Sequence, residues 1–190
     1  MAKLKLEIEG ERIKLRKLKL SDAEDIYENL QDKEMVKWTL NIHWPYKKQD
    51  AIKWIRKTHY KIKNKEEYGF AIVLKTENKV IGAVSLMHID WKNKNAELGY
   101  WLGKKYWGKG LMTEAVKLVL KFAFEKLKLH RVYANLFEEN VASRRVLEKS
   151  GFKLEGVARE CRFRYNKWHN ELKFGILKQE YEKYKKCTAP

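Results

Sequence analysis

The spacing of apolar residues changes several times along the chain, and each spacing predicts a different element. From Leu4 to Leu20 apolar and charged residues alternate around Gly10, which predicts an opening strand or hairpin. Helical spacing predicts a first helix over about Asp22 to Gln31 and a second over Lys47 to Lys63. The segment between them, 32–46, follows neither spacing and predicts an irregular connection rich in aromatic side chains.

The rest of the chain predicts a sheet interrupted by helices. Three strands joined by short polar links form a meander, and a long amphipathic helix follows. The next strand comes after a crossover helix, so it is expected to lie parallel to the third strand of the meander. The predicted strands are Tyr68–Leu74, Val80–Ile89, Asn95–Leu102, Arg131–Phe137, Phe152–Phe163 and Trp168–Leu177, and the predicted helices are Leu111–Leu127 and a short one from Asn140 to Ser150.

Composition predicts one domain of 190 residues with a basic surface. The formal net charge of +17 attracts nucleotides, nucleic acid or acidic surfaces, although a solvated Lys/Glu surface of the thermophile kind would look the same. Cys161 and Cys187 are too few for a disulfide framework, and Cys161 is expected to be a small core residue. The histidines show no ligand spacing, so no metal is expected. With no signal-like or membrane-length apolar run, a cytoplasmic protein without a membrane partner is expected.

The glycine-containing turn over 103–110 follows a predicted strand and precedes a helix, an order that points free backbone N–H groups outward. The turn fits the nucleotide-binding pattern G-x-x-x-x-G-K, but Gly110 stands where that loop needs Ser or Thr to hold magnesium. A plain strand-to-helix turn and a pyrophosphate cradle remain. Gly108 and Gly110 favour the cradle, because a backbone without side chains can approach a diphosphate closely.

Two segments carry a resemblance to a known family. The turn from Trp107 to Met112 (W-G-K-G-L-M) resembles the Q/R-x-x-G-x-G/A signature of the GNAT superfamily of acyl-CoA-dependent N-acetyltransferases. Gly110 matches its central glycine, whereas Trp107 replaces Gln/Arg and Met112 replaces Gly/Ala. The run Tyr-Trp-Gly-Lys-Gly at 106–110, followed by Thr-Glu-Ala at 113–115, is similar to the RimJ/RimL subgroup, which acetylates N-terminal amino groups of ribosomal proteins. The segment from Asn140 to Gly156 resembles the family's Asn-x-x-Ser…Gly-Phe…Glu-Gly pattern. The resemblance covers about Gly10 to Leu177 and leaves the tail, 178–190, unexplained.

The resemblance implies an α/β (α+β) fold, in which a mixed, mostly antiparallel sheet with a central splayed parallel strand pair is flanked by helices. It also implies that the pantetheine arm of acetyl-CoA lies in the gap between the splayed strands. Purely structural roles remain open for some of the implied binding residues. The aromatic side chains of the strand are then core residues, and Asn140 and Ser143 are helix-capping residues. The implied cofactor-binding residues are Tyr100, Trp101, Leu102, Trp107, Gly108, Lys109, Gly110, Leu111, Met112, Thr113, Asn140, Ser143 and Arg144.

Attack of an amine on a thioester requires a general base and stabilisation of the leaving thiolate. Glu97 is the candidate base because it precedes the predicted splay, and a cross-strand charge partner is its alternative role. Glu160 is a second candidate, although the position that aligns best with the subgroup's acid carries Arg162. Leu147 stands where many family members carry a tyrosine acid, so Ser143 is expected to stabilise the thiolate by hydrogen bonding.

The sequence therefore predicts an N-acetyltransferase that moves acetyl from acetyl-CoA to an amine, most simply the N-terminal α-amino group of a protein such as a ribosomal protein. Trp38, Trp44, Tyr46 and the segment 162–168 are expected to wall the acceptor site. A polyamine-like small molecule is the alternative acceptor. Outside the enzyme class, the alternative is a basic RNA- or ribosome-binding protein with the same fold. A homodimer is compatible with the resemblance.

Overall fold

The computed structural model describes residues 6–39 and 42–188, with side chains up to residue 185. The strands are β1 (Glu7–Glu9), β2 (Ile13–Lys17), β3 (Tyr68–Leu74), β4 (Lys79–Asp90), β5 (Asn95–Leu102), β6 (Arg131–Phe137), β7 (Lys153–Arg164) and β8 (Lys167–Leu177). The helices are α1 (Ala23–Asn29), α2 (Lys33–Lys37), α3 (Lys48–Lys63), α4 (Leu111–Lys121), α5 (Val141–Lys149) and α6 (Lys178–Thr188). All eight strands join in one sheet in the order β1-β2-β3-β4-β5-β6-β8-β7.

Helices cover both faces of this sheet, and β3 shows how the sequence encodes that. Phe70 and Ile72 pack in the core with α4, whereas Ala71 and Val73 pack with α1 and α3 on the opposite face. A strand that is buried on both faces reads as a continuous apolar run and not as an alternation. The uninterrupted apolar sequence of β3 is therefore explained by its central place between two helical layers.

The predicted parallel pair is confirmed, and it is the only parallel pair in the sheet over the residues described. β5 and β6 pair from Asn95 to Glu97 and then part, while β5 continues along β4 and β6 continues along β8. The separation opens a gap on the C-terminal side of Glu97. Because both strands run in the same direction, the helices that follow them, α4 and α5, begin at the edge where the gap opens.

Two helices lie where the sequence pattern predicted none. The segment 32–46 was expected to be irregular, yet α2 forms there with Asp32 as its N-cap, its carboxylate accepting the Glu34 N–H at 2.8 Å. Leu40 and Asn41 of that segment lie outside the described residues. A helix of five residues is too short for apolar periodicity to reveal it.

The unexplained tail forms α6, which returns to the core. Tyr181 stacks on Phe124 with their ring centroids 5.0 Å apart, although α6 is otherwise mostly polar. The helix predicted over Leu111–Leu127 is α-helical only to Lys121, and a π-helical turn, Phe122–Lys126, follows. The predicted opening hairpin is confirmed as β1 and β2, with Leu4 outside the described residues.

Candidate active site

The turn before α4 presents the N-terminal end of that helix. Gly108 and Gly110 both have φ of +74°, a left-handed conformation that glycine adopts without steric cost. Gly110 is the N-cap residue of α4, and no side chain in the described part of the chain caps it. The N–H groups of residues 111–113 and the positive end of the helix dipole are therefore available to an anion such as a diphosphate.

The side chains of this turn support its backbone, pack in the core or point to solvent. The Trp107 indole N–H donates to the Leu102 carbonyl at 2.7 Å, which ties the turn to the end of β5. Leu111 and Met112 are buried in the core, so these two residues offer their backbone N–H groups and not their side chains to a ligand. Lys109 is exposed beside them and supplies positive charge.

Arg12 and Glu114 form a clamp that fixes the turn to β2, and sequence reasoning missed it. Glu114 Oε1 accepts the backbone N–H groups of Arg12 and Ile13 at 2.9 and 3.3 Å, and its Oε2 accepts Arg12 Nε–H at 3.0 Å. Arg12 also donates to the Lys109 carbonyl at 2.7 Å. Because these partners are about a hundred positions apart, only the fold brings them together.

Tyr100, Trp101 and Leu102 lie on β5 beyond its last pair with β6, and they pair with β4 alone. The open edge of β5 is suited to an extended ligand such as a pantetheine arm, which can hydrogen-bond to a free strand edge. The side chains point elsewhere: Trp101 lies against Trp54 of α3 with ring centroids 6.5 Å apart, and Leu102 is buried. Only the Tyr100 side chain reaches α5.

The first turn of α5 combines helix capping with a polar contact to β5. Asn140 Oδ1 accepts the Ser143 N–H at 3.1 Å, as predicted for an N-cap. The hydroxyl oxygens of Ser143 and Tyr100 are 2.7 Å apart. Burial raises the pKa of Tyr100, and the hydrogen bond to Ser143 opposes that shift. Arg144 pairs with Glu148 on the helix surface, and Leu147 is buried.

Glu97 occupies the last paired position before the gap, opposite Tyr133 of β6. Its side chain is only 18% exposed. Oε1 accepts from Asn135 Nδ2 at 3.2 Å, and Oε2 lies 2.8 Å from Nδ1 of His88. The predicted base therefore lies at the mouth of the gap, and it is also the cross-strand partner that was its alternative role. The sequence showed His88 only as one of five histidines without ligand spacing, and nothing in it indicated this contact.

The second candidate acid, Glu160, lies in an irregular part of β7. It is exposed, and its N–H donates to Asn170 Oδ1 at 2.8 Å. Two residues further on, Arg162 Nε–H donates to the buried carboxylate of Glu171 at 2.9 Å. Glu171 raises the pKa of Arg162, and the charge of Glu97 contributes in the same direction.

α2 and the tip of the β7–β8 hairpin line a cavity of about 610 Å³. Trp38, Trp44, Tyr165 and Val36 make its lining mostly apolar. The charged residues of the lining are Lys33, Lys37, Lys167, Glu34 and Glu139. The ammonium groups of Lys33 and Lys37 lie 5.6 and 4.8 Å from the ring centroids of Trp44 and Trp38. Such contacts join an apolar wall to positive charge.

This cavity adjoins the other site elements through His169 and Glu139. His169 Nδ1 lies 2.9 Å from Glu139 Oε1, and Glu139 immediately precedes Asn140. In the sheet His169 pairs with Arg162 of β7. Trp38, Trp44 and, from the segment 162–168, Tyr165 and Lys167, all predicted to wall the acceptor site, line this one cavity.

Two expectations about single residues were wrong. Tyr46 was expected to wall the acceptor site, but it is buried in the core formed by α1, α2 and α3. Cys161 was expected to be a core residue, but it is exposed on β7, an edge strand with few inward-facing positions. Within the described part of the chain, no cluster of His, Cys, Asp and Glu could hold a metal ion, and no helix is long and apolar enough to cross a membrane.

A comparison with known families matches residues 12–153 to a model described as an acetyltransferase (GNAT) domain. The probable N-acetyltransferase YjcK of Bacillus subtilis is 36% identical over 182 residues, which cover 92% of this chain and 99% of YjcK. The putative ribosomal N-acetyltransferase YdaF of the same organism is 32% identical over 180 residues, covering 91% of this chain and 95% of YdaF. A GNAT acetyltransferase structure from Bacillus anthracis superposes with a TM-score of 0.80 at 29% identity, covering 91% of this chain and 99% of that chain.

The chain belongs to the GNAT family of acetyltransferases. It is an acyl-CoA-dependent N-acetyltransferase, and the family uses acetyl-CoA as co-substrate. The resemblance drawn from the two sequence motifs is therefore confirmed, as is the mixed sheet with its parted parallel strands.

Proposed function

We propose that the chain acetylates the N-terminal α-amino group of a protein by direct transfer from acetyl-CoA. The observation that carries the mechanism is the position of Glu97 and Ser143 beside the one gap between β5 and β6. Attack of the amine forms a C–N bond at the thioester carbonyl and breaks its C–S bond. Glu97 takes one proton of the ammonium before attack, and the second proton, which the nitrogen loses as the amide forms, ends on the sulfur as free CoA thiol. The Ser143 hydroxyl donates a hydrogen bond to the sulfur as the thiolate departs.

Tyr100 supports Ser143 in this role. A phenol keeps its proton at neutral pH, all the more because burial raises the pKa of Tyr100, and either hydroxyl can donate in the 2.7 Å contact with Ser143. In the proposed mechanism Tyr100 donates a hydrogen bond to Ser143 Oγ, and not to the Ser143 carbonyl, which lies 3.3 Å away. The Ser143 proton is then free to point at the sulfur. A chain of two hydroxyls stabilises a thiolate by hydrogen bonding and does not need to lose a proton outright.

The cavity between α2 and the β7–β8 hairpin supports a peptide acceptor. Its apolar lining suits the side chains of the first residues of a polypeptide. Lys33, Lys37 and Lys167 outnumber the two glutamates of the lining, Glu34 and Glu139, which favours a peptide with carboxylates. A polyamine carries several positive charges, and both these lysines and the net charge of +17 repel it. The similarity to YdaF, which is named a putative ribosomal N-acetyltransferase, makes ribosomal proteins the first acceptors to test.

The test compares acceptors by the release of free CoA thiol. We expect a peptide with a free N-terminal serine, an aromatic second residue and two glutamates to react with a higher kcat/KM than spermidine. The same peptide with lysines in place of the glutamates should fall between the two. Faster turnover of spermidine would reject the peptide assignment. An N-terminally blocked peptide is the control, and it should release no thiol.

The role of Glu97 is tested in the same assay. Replacement by Gln keeps the hydrogen bond from Asn135 but removes the base, so kcat should fall by about a hundredfold or more. Acetyl-CoA affinity, measured by calorimetry, should stay unchanged because Glu97 lies outside the glycine turn. A Glu97→Gln enzyme with normal kcat would remove Glu97 from the mechanism.

A further inference from the structure

His88 lies in a break of the β4–β5 ladder, at the end of the gap where Glu97 stands. The ladder is regular up to the pair of Met87 and Glu97 and then shifts, so that two residues of β4 stand opposite one residue of β5. Such a β-bulge redirects side chains of the bulged strand. In an unbroken ladder the residue after Met87 would point to the face opposite Glu97, because side chains alternate. The bulge brings His88 to the face of Glu97.

The backbone of His88 has a φ of +48°, in the left-handed region, where residues other than glycine are uncommon but where histidine is tolerated better than most. This conformation occurs at the break in the β4–β5 ladder. The imidazole is 68% exposed, so its 2.8 Å contact with Glu97 is not imposed by tight core packing.

We propose that His88 is a positioning residue for acetyl transfer, holding Glu97 in place through a hydrogen bond from Nδ1. This inference rests on the proposed function of Glu97 as the base. An ionised carboxylate only accepts, so Nδ1 carries the proton in this contact. Asn135 holds the other oxygen from β6 at 3.2 Å, so donors from both neighbouring strands fix the carboxylate where the gap opens. Each oxygen keeps a second acceptor position for the substrate ammonium or a bridging water.

A set of three substitutions separates the hydrogen bond from the backbone conformation. Asparagine tolerates the left-handed region and places an N–H donor near the position of Nδ1, so His88→Asn should retain most of the activity. Glycine relaxes the backbone but removes the donor, and alanine removes the donor while keeping the strain. We expect kcat for the serine peptide to fall by about tenfold or more in both His88→Gly and His88→Ala, with the KM for acetyl-CoA unchanged. Equal kcat in the alanine and asparagine variants, whether both normal or both low, would overturn the inference.

The double variant and a spectroscopic measurement make failure of this inference distinct from failure of the base assignment. If His88 acts through Glu97, His88→Ala should cost nothing further in a Glu97→Gln background. An impaired Glu97→Gln enzyme beside an unimpaired His88→Ala enzyme would reject only the role of His88. Without any acceptor, nitrogen-15 NMR of the imidazole should show a protonated Nδ1 whose resonance moves in Glu97→Gln. An unprotonated Nδ1, or a resonance that does not move, would refute the contact itself.

Discussion

Replacing Glu114 with Ala is expected to destabilise the protein by about 2–3 kcal/mol. The variant leaves the N–H groups of Arg12 and Ile13 without their carboxylate acceptor, and the Ile13 side chain is fully buried beside them. Each of these hydrogen bonds contributes about 1 kcal/mol, or somewhat more because the acceptor is charged. The ion pair itself adds little, since the Arg12 side chain is 47% exposed and solvent screens it.

Thermal unfolding measures this loss, which should lower Tm by about 4–12 °C for a domain of this size. Glu148→Ala is the matched control, because Glu148 is also a helical glutamate paired with an arginine, but both side chains are about half exposed. Its cost should stay below about 0.5 kcal/mol. Since Arg12 also holds the Lys109 carbonyl, Glu114→Ala should weaken acetyl-CoA binding in calorimetry by up to about tenfold. Equal Tm shifts in the two variants would refute the clamp.

Three further outcomes follow. Gly110→Ala forces a side chain onto a φ of +74° and should weaken acetyl-CoA binding in calorimetry. Gly156→Ala is the control and should not weaken it, because Gly156 has open space around it and no positive φ. Equal affinities of the two variants would contradict the cradle. Tyr100→Phe and Ser143→Ala should each lower kcat by about tenfold. The kcat of the double variant should be no lower than that of the poorer single variant. Additive losses of kcat would mean that the two hydroxyls act separately. Burial and the nearby charge of Asp50 raise the pKa of Tyr46 to about 12. Tyrosine in the unfolded chain titrates near pH 10, so the stability contributed by the protonated phenol should be complete below about pH 10. It should be lost as the pH rises toward 12. Denaturant melts at pH 9 and pH 11 measure this loss, and it should be smaller in Tyr46→Phe.

The part of the site that the sequence predicted is built from residues that lie close together in the chain. Gly108 and Gly110 signal an open helix start because only glycine adopts the required φ cheaply, and Asn140 signals a helix cap three residues before Ser143. Glu97 was placed because the strand and its crossover partner were both readable. These features depend on local backbone preferences, which neighbouring residues express in sequence.

The other part depends on contacts between distant segments. Nothing in the sequence near Arg12 indicates that Glu114 receives its N–H groups, and nothing near His88 indicates a bulge. Tyr46 is a large aromatic residue like Trp38 and Trp44 of the same segment, yet Tyr46 faces the core while the two tryptophans line the cavity. The direction of a side chain in an irregular segment is set by tertiary packing, and the aromatic composition of the segment does not predict it.

By itself, the sequence determined the class of fold, the glycine turn at the start of α4 and the family, because strand and helix periodicity and two short motifs are local properties of the chain. Only the tertiary structure decided which polar groups meet: Tyr100 with Ser143, His88 with Glu97, and Arg162 with Glu171. The physical reason is that hydrogen bonds act over about 3 Å, so residues far apart in the chain become partners only after the sheet has set their register and parted β5 from β6.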